Sequence, residues 1–574
     1  MRYFSAIFLL LLPGFAWAAV SLELAVEGVD GALHENVLES LTLYSERKHP
    51  LLELRRMRAL HRQAEDEIRA ALRPFGYYRP AIEASLEEQD GRWIARYRID
   101  AGEPVRVHEL VLNISGEAAS DKAFIDWKQS FPLRPGDVLI HTAYEQGKRA
   151  LQDLLRDRGY FEAQLQRHAI EVRQLENSAR IVLEADSGPR YRFGAIEFSQ
   201  IGMNDALLRS YLPFHEGDFY DAERLFALQR ALTDSDYFDY IDVQAGVETA
   251  AEGVAPVTVD LRLRKRTRYT LGLGYGTDTG PRLGVGMERR YINRAGHRVT
   301  LDALTSKVQN RLQGMYRIPL QRHPNADYIS FRSGWEQENL DVSKRKTLTA
   351  GAGLTMLLGR WQRTYALTFQ QERFRVADQQ NTTHLVLPSW SLQRMEADDR
   401  LFPSRGWRLD FELRGASETL GSDASLLQGV ARAKAIYPLF GGRFITRADF
   451  GASKTSSFER VPASLRFFAG GDNSIRGYGY KTLGPRNAQG EVIGGRNLLA
   501  ASAEYEHYFG AMFGAAAFYD AGNAFDRGDF KVMQGAGAGL RWRLPFGVLR
   551  VDIGVPLNVG KDHWRLHITL GPDL

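Results

Sequence analysis

The chain has 574 residues, no cysteine and a nearly balanced formal charge of +4. Disulfide frameworks, metal–thiolate sites and cysteine nucleophiles are therefore excluded, and nothing in the charge balance points to nucleic acid. Beyond residue 18 no apolar run approaches the ~20 residues of a spanning helix, so any passage through a membrane must be made by β-strands. At the N-terminus, Met1-Arg2 is followed by an apolar stretch from Tyr3 to Leu12, then Pro13-Gly14 and Ala16-Trp17-Ala18. This pattern predicts a secretory signal over residues 1–18, cut after Ala18.

The next 245 or so residues carry a repeat with a period of about 80, which means tandem domains. Ile68 to Leu72 leads to Gly76-Tyr77-Tyr78, Leu151 to Leu155 to Gly159-Tyr160-Phe161, and Ala231-Leu232 to Asp236-Tyr237-Phe238. Each reads as helix end, turn, aromatic pair and strand start. Glycine before the aromatics suits a left-handed helix C-cap, and Asp236 is a tolerated alternative. The aromatic pairs are read as core packing. Upstream, Leu133-Arg134-Pro135-Gly136-Asp137 and Phe214-His215-Glu216-Gly217-Asp218 precede amphipathic helices, with Tyr144, Leu151, Leu154 and Leu155 on one face and Leu225, Leu228 and Leu232 on the other helix's face. The predicted order within a unit is βααββ, a small sheet with helices on one face.

This unit resembles the polypeptide-transport-associated (POTRA) domain. The resemblance spans roughly residues 20–264 and predicts α+β domains over 19–102, 103–187 and 188–265. The first departs from the pattern, with Glu46-Arg47-Lys48-His49-Pro50 in place of the Gly-Asp turn and a long charged helix over about 51–72. The resemblance places the binding capacity of such a domain in an edge strand able to accept an extended peptide.

From Thr267 onward, alternation replaces helical periodicity. Tyr269, Leu271, Leu273 and Tyr275 alternate with Thr270, Gly272, Gly274 and Gly276, and Trp407, Leu409, Phe411 and Leu413 with Arg408, Asp410, Glu412 and Arg414. Apolar residues on one side and charges on the other fit a lipid-embedded barrel turned inside out. A soluble sandwich alternates too, but the signal, the strand lengths and the number of strands favour a transmembrane antiparallel β-barrel over residues 266–574, of about sixteen strands. The last strand is read from Trp564, Leu566, Ile568 and Leu570 against Arg565, His567 and Thr569. The barrel is expected to close where Arg268 to Gly276 meets His563 to Leu570, a seam that includes Tyr269, Leu271, Gly272, Leu566, Ile568 and Leu570; the closing strand is short and preceded by Gly560, so this should be the weakest pairing of the ring. Gly272-Leu273-Gly274-Tyr275-Gly276 lacks the following helix of a nucleotide loop, and no catalytic or metal motif is present. No enzyme activity and no cofactor are expected. The histidines His563 and His567 are read as plain strand residues. At the entry to the barrel, Arg262, Arg264, Lys265, Arg266 and Arg268 are either a solvated strand end or a contact for anionic lipid headgroups.

One loop carries the strongest motif. Gly470-Gly471-Asp472-Asn473-Ser474 precedes Ile475-Arg476-Gly477-Tyr478, and the loop runs on to about Asn497. In this setting the motif resembles the signature loop of the outer-membrane assembly and two-partner secretion superfamily. The resemblance implies a loop folded into the lumen, with Arg476 meeting acidic residues at positions matched here by Glu504 and Asp520. A guanidinium inside a barrel needs such partners. Asp398 to Trp407 resembles a family turn and supports membership without marking a site.

Three domains ahead of a barrel ending in Gly-Pro-Asp-Leu resemble the TamA family, the outer-membrane subunits of translocation and assembly modules. General assembly factors carry more such domains as a rule, and two-partner secretion transporters fewer. The resemblance implies a bacterial outer-membrane protein with periplasmic N-terminal domains and a TamB-like, inner-membrane-anchored partner. It implies outer-membrane protein clients such as autotransporters, and contact with outer-membrane lipids. The alternatives are a two-partner-secretion-type pore for a dedicated exoprotein and a barrel-anchored peptide-binding scaffold.

Overall fold

The computed structural model describes residues 22–49, 52–199, 202–250, 252–399, 401–545, 547–558 and 563–571. The expected signal peptide, Gly560 and the end of the chain from Pro572 lie outside these residues. Three small α+β domains precede a closed antiparallel barrel of sixteen strands. Among the described residues no helix is long and apolar enough to cross a membrane.

In the first domain, the strand Leu22–Glu27 lies parallel to Arg92–Asp100, which pairs on its other side with Ala81–Gln89. The helix Leu54–Leu72 covers this sheet because Met57, Leu60, Ala64, Ile68 and Leu72 recur at helical spacing and are all buried. They pack with Ala95, Tyr97 and Ile99 of the central strand. The second domain repeats the order with strands Arg106–Ser115, Gln164–Arg173 and Ser178–Asp186 and helices Lys122–Ser130 and His141–Asp157. In the third, the strands Arg192–Ser199, Phe238–Ala245 and Val254–Leu263 form a sheet with the last strand central. The matched turns before the two amphipathic helices are built alike. The amide N of Arg134 donates to Asp137 Oδ2 at 2.7 Å and that of His215 to Asp218 Oδ2 at 3.0 Å.

The aromatic pairs do more than fill cores. Tyr160 is buried against Phe124, but Phe161 packs edge-on against Tyr191 and Tyr220 of the next repeat, at 5.2 and 4.8 Å between ring centroids. Tyr78 hydroxyl bonds His141 Nε2 of the second domain at 2.7 Å. Tyr237 donates to the carbonyl of Gly296, in a turn between barrel strands, at 2.5 Å. In each pair one ring thus reaches into the module that follows.

Asp236 takes the left-handed conformation (φ +57°) that Gly76 and Gly159 take in the other repeats. Its carboxylate is the reason a side chain is present there. It accepts from Arg290 Nε at 2.7 Å, pairs with Arg264, and lies 3.7 Å from Arg268. Arg262 pairs with Asp239 at 2.7 Å, and Arg268 also meets Glu288. Three of the five junction cations are therefore paired with carboxylates of the chain itself.

The barrel runs from Thr267–Gly276 to Arg565–Gly571. Each strand pairs with its chain neighbours, and the longest, Gln379–Ala397, has 19 residues against 7 in the last. Tyr269, Leu271, Leu273, Leu312, Phe331, Leu367 and Phe369 are exposed on the outer face, as lipid contact requires. The closure is narrow. Among the described residues a single register pair, Gly276 with Thr569, joins the first strand to the last. Tyr269, Leu271 and Gly272 have no partner there. Beyond Gly276 the last strand meets a turn instead: Thr277 Oγ1 accepts from the Ile568 amide at 2.8 Å, and the Thr277 amide donates to the Ile568 carbonyl at 3.3 Å.

Candidate functional site in the barrel lumen

The loop between the strands Gly442–Thr455 and Asn497–Phe509 folds into the lumen, and Arg476 is its anchor. The guanidinium forks onto Asp520, with Nε to Oδ2 at 2.8 Å and Nη2 to Oδ1 at 3.0 Å, while the Arg476 amide also donates to Oδ2 at 3.0 Å. Nη1 donates to Glu504 at 2.7 Å and to Asp552 at 3.0 Å. The ring of Phe518 lies under the guanidinium at 3.4 Å. Ile475 is fully buried, and Tyr478 donates to the Gln534 carbonyl at 3.3 Å.

The structure thus brings Arg476 together with both sequence-selected carboxylates, and adds residues that sequence reading missed. Asp552 is a third carboxylate. Arg541, fully buried, binds Glu504, Asp552 and Glu506. Glu506 in turn holds Arg443, whose Nη1 donates at 2.9 Å to the Pro403 carbonyl. Pro403 belongs to the turn that the sequence assigned to no site, and that turn is organised by Asp398 and Asp399 accepting backbone amides. Three arginines and four carboxylates therefore form one chain of ion pairs from the Asp398–Trp407 turn to the lumenal loop. Each buried charge has at least two opposite partners or hydrogen bonds, the condition under which burial is tolerated.

Glycine makes the close approach possible. Gly477 has φ +94°, and a Cβ there would lie 2.8 Å from the Pro556 nitrogen. On the facing wall, a Cβ at Gly535 would lie 2.0 Å from the Arg476 carbonyl oxygen. The loop backbone lies directly on the strands Met533–Leu544 and Gly547–Pro556 because no side chain intervenes.

A second set of contacts fastens the loop to the seam. His567 on the last strand is buried, and its Nε2 accepts from the Gly477 amide at 2.9 Å. Its Nδ1 lies 2.6 Å from Asp472 Oδ1. An imidazole that accepts at Nε2 carries its proton on Nδ1, so His567 donates to Asp472. The Asp472 amide donates to Asp278 Oδ2 at 2.8 Å, in the turn after the first strand. His567 is therefore not a plain strand residue: it bridges the signature loop and the closing strand. Asp278, Asp472 and His567 bring their ligating atoms within 4.8 Å, a grouping a cation could use, but the tautomer fixed by Gly477 places a proton on the nitrogen that faces it. Across the lumen, Lys481 binds Glu338 at 3.0 Å and Arg466 binds Gln379 at 2.9 Å, so the loop is pinned to the opposite wall as well.

A closed sixteen-strand barrel, tandem POTRA-type domains ahead of it and an Arg-Gly-Tyr loop buried in its lumen define a class of outer-membrane protein. Residues 255–572, more than half of the chain, match the Omp85 superfamily domain, and the chain belongs to that superfamily. Residues 23–101 match the model described as POTRA domain TamA domain 1, and residues 112–188 a POTRA model described as surface antigen variable number repeat. The outer membrane protein assembly factor BamA of Nitratidesulfovibrio vulgaris is 24% identical over 394 residues, which is 64% of this chain and 48% of that protein. BamA of Neorickettsia risticii is 23% identical over 474 residues, 76% of this chain and 62% of that protein. The chain thus spans about half to three-fifths of the length of these curated relatives. Among solved structures, BamA from Haemophilus ducreyi lacking POTRA domains 1–3 shares the fold, with a TM-score of 0.69 at 16% identity, covering 81% of this chain and 99% of that one.

Proposed function

We propose that this protein inserts and assembles other outer-membrane proteins, autotransporters among them, through the seam between its first and last barrel strands. The observation that carries this is the seam itself. One register pair closes it, whereas the neighbouring strands Thr267–Gly276 and Gly280–Arg289 share ten. Each ladder hydrogen bond left unmade lowers the cost of parting the strands, and an unpaired strand edge is a template for a client strand. The lumenal loop contacts both sides of that opening through Asp472 and His567, so its position is coupled to whether the seam is shut.

The periplasmic domains dock a partner in this reading. The match of the first domain to a TamA-type model supports a TamB-like, periplasm-spanning protein anchored in the inner membrane, and a translocation and assembly module. The relatives named as BamA support the broader role in outer-membrane protein assembly. Purification of the native complex separates these: a long periplasm-spanning protein accompanies a TamA-type subunit and does not accompany a general assembly factor.

The seam is tested with cysteines at Gly276 and Thr569, the residues that face each other, in a chain with no native thiol. Oxidation is expected to abolish surface display of an autotransporter client, and reduction to restore it. Full activity of the oxidised barrel would rule out the seam as the route.

A further inference from the structure

The outer face of the barrel carries four cations where the rest of the lipid belt begins. Lys344 and Lys346 stand at the start of the strand Ser343–Leu358, and Arg373 and Arg375 near the end of Trp361–Val376. All four are exposed and share a face with the exposed Leu348, Leu367 and Phe369. Arg345 and Phe374, between them in sequence, point the other way: Arg345 pairs with Glu336 and Glu338 inside the lumen, and Phe374 is buried. The register sets Lys344 directly across from Arg375 and Lys346 across from Arg373. Cross-strand neighbours of like charge repel, and this arrangement doubles that repulsion. No described carboxylate lies within ion-pair distance of any of the four; Asp341 and Asp378 sit in the adjoining turns. A cavity of about 420 Å³ opens between the four cations. Asn339, Arg345, Phe374 and Gln380 complete its lining.

The orientation follows from the chain. The N-terminal domains lead into the barrel at Thr267, and strands alternate in direction from there. The sixth strand therefore begins, and the seventh ends, on the rim opposite the one at which the chain enters the barrel, which is the cell-surface side. We propose that Lys344, Lys346, Arg373 and Arg375 bind an outer-leaflet glycolipid that carries phosphates on its sugar headgroup, with its acyl chains against Leu348, Leu367 and Phe369. Phosphate is the group that four converging cations best neutralise, and arginine presents a fork to it. The apolar surface immediately below favours a lipid over a soluble anion. This inference rests on the placement of the barrel in the outer membrane and is independent of the seam.

The test uses the full-length protein in neutral detergent, with lipid A bearing two phosphates as the probe and native mass spectrometry as the readout. The unaltered protein is expected to retain one lipid A. Each cation near an anionic surface contributes about fivefold in affinity, so K344Q/K346Q/R373Q/R375Q should weaken retention on the order of a hundredfold or more. K454Q, an outward cation away from the cluster, should leave it unchanged. Inorganic phosphate alone should not displace the lipid. Should the quadruple variant fail to show the heat-dependent gel shift of a folded barrel, K346Q/R373Q is read instead, with about a twenty-five-fold loss expected. Full retention by a folded variant, equal retention of lipid A stripped of phosphate, or displacement by inorganic phosphate would each overturn the proposal.

Discussion

Arg476 is bound by three carboxylates and a ring face, so its removal leaves like charges facing one another with Arg541 alone between them. Breaking a buried ion pair by deleting one member typically costs about 3–5 kcal/mol. R476A is therefore expected to free the loop, exposing residues 470–496 to protease added to intact cells and lowering client display. R476K should recover only part, because an ammonium cannot fork onto Asp520 while also meeting Glu504 and Asp552. The coupling is measured by D520N with R476Q: the double variant should be less impaired than the two singles summed, and strict additivity would mean the pair does not interact. Glu504 and Asp520 could be selected from the sequence because the motif resemblance pointed to their positions. Asp552, Arg541 and His567 could not. Alternation says that a side chain faces the lumen, but every second residue does, and most are polar. The one local signal was the run of inward glycines, Gly535, Gly537 and Gly539, which clears space for the loop backbone and for Asp552.

A strand's side-chain period of two fixes its faces and leaves its register open, since a slip by two residues preserves every face. This is why the outer face of Tyr269, Leu271 and Leu273 and the weakness of the short closing strand were legible, and the register at which Gly276 meets Thr569 was not. Helix faces are better determined, as the burial of Met57, Leu60, Ala64 and Ile68 on one side of Leu54–Leu72 shows. That helix also carries a titratable contact: His61 Nδ1 lies 2.9 Å from the hydroxyl of the buried Tyr97. Burial pushes the His61 imidazole below its ordinary range, against an opposing pull from Glu65. A histidine whose pKa is lower folded than unfolded binds protons preferentially in the unfolded chain. The stability of the first domain should thus be flat above the unfolded value near 6.5 and fall as the pH drops below it. Thermal melts of the periplasmic fragment between pH 8 and about 5 test this, and H61N should remove most of the slope. An unchanged slope in H61N would assign the effect to another group.

At the scale of the molecule, the third domain is tied to the barrel at several points. The Asn204 amide donates to the Arg294 carbonyl at 2.8 Å, and Asn325 donates to the Ala231 carbonyl at 2.7 Å. Arg298 donates to the Ser235 carbonyl, Tyr237 to Gly296, and Asp236 gathers Arg264, Arg268 and Arg290. The sequence repeat predicts three domains, each with its own apolar faces, because a repeat reports local pattern and not what each unit rests upon. A fragment spanning residues 19–188 should therefore melt cooperatively. One extended to 264 should add little cooperative enthalpy, because Tyr237 and Asp236 would then lose Gly296, Arg290 and Arg298. In the whole protein, D236N keeps a side chain that tolerates the left-handed turn but removes the charge, and D236G relaxes the backbone while removing the carboxylate. Both should loosen the junction, seen as faster amide exchange over 231–238 and 290–298 with the barrel intact. The contact should also endure mild acid. Burial would raise the Asp236 carboxyl, but the Arg290 hydrogen bond and the charges of Arg290, Arg264 and Arg268 outweigh it and hold the group below the usual carboxylate range. Its stabilisation is present above the unfolded value near 3.9 and lost as the pH falls through the lower folded one, so amide protection at the junction, taken relative to the intrinsic exchange rate at each pH, should not change between pH 7 and about 5. Equal exchange in D236N and the unaltered protein, or a 19–264 fragment as cooperative as its first two domains, would show that the third domain stands without the barrel.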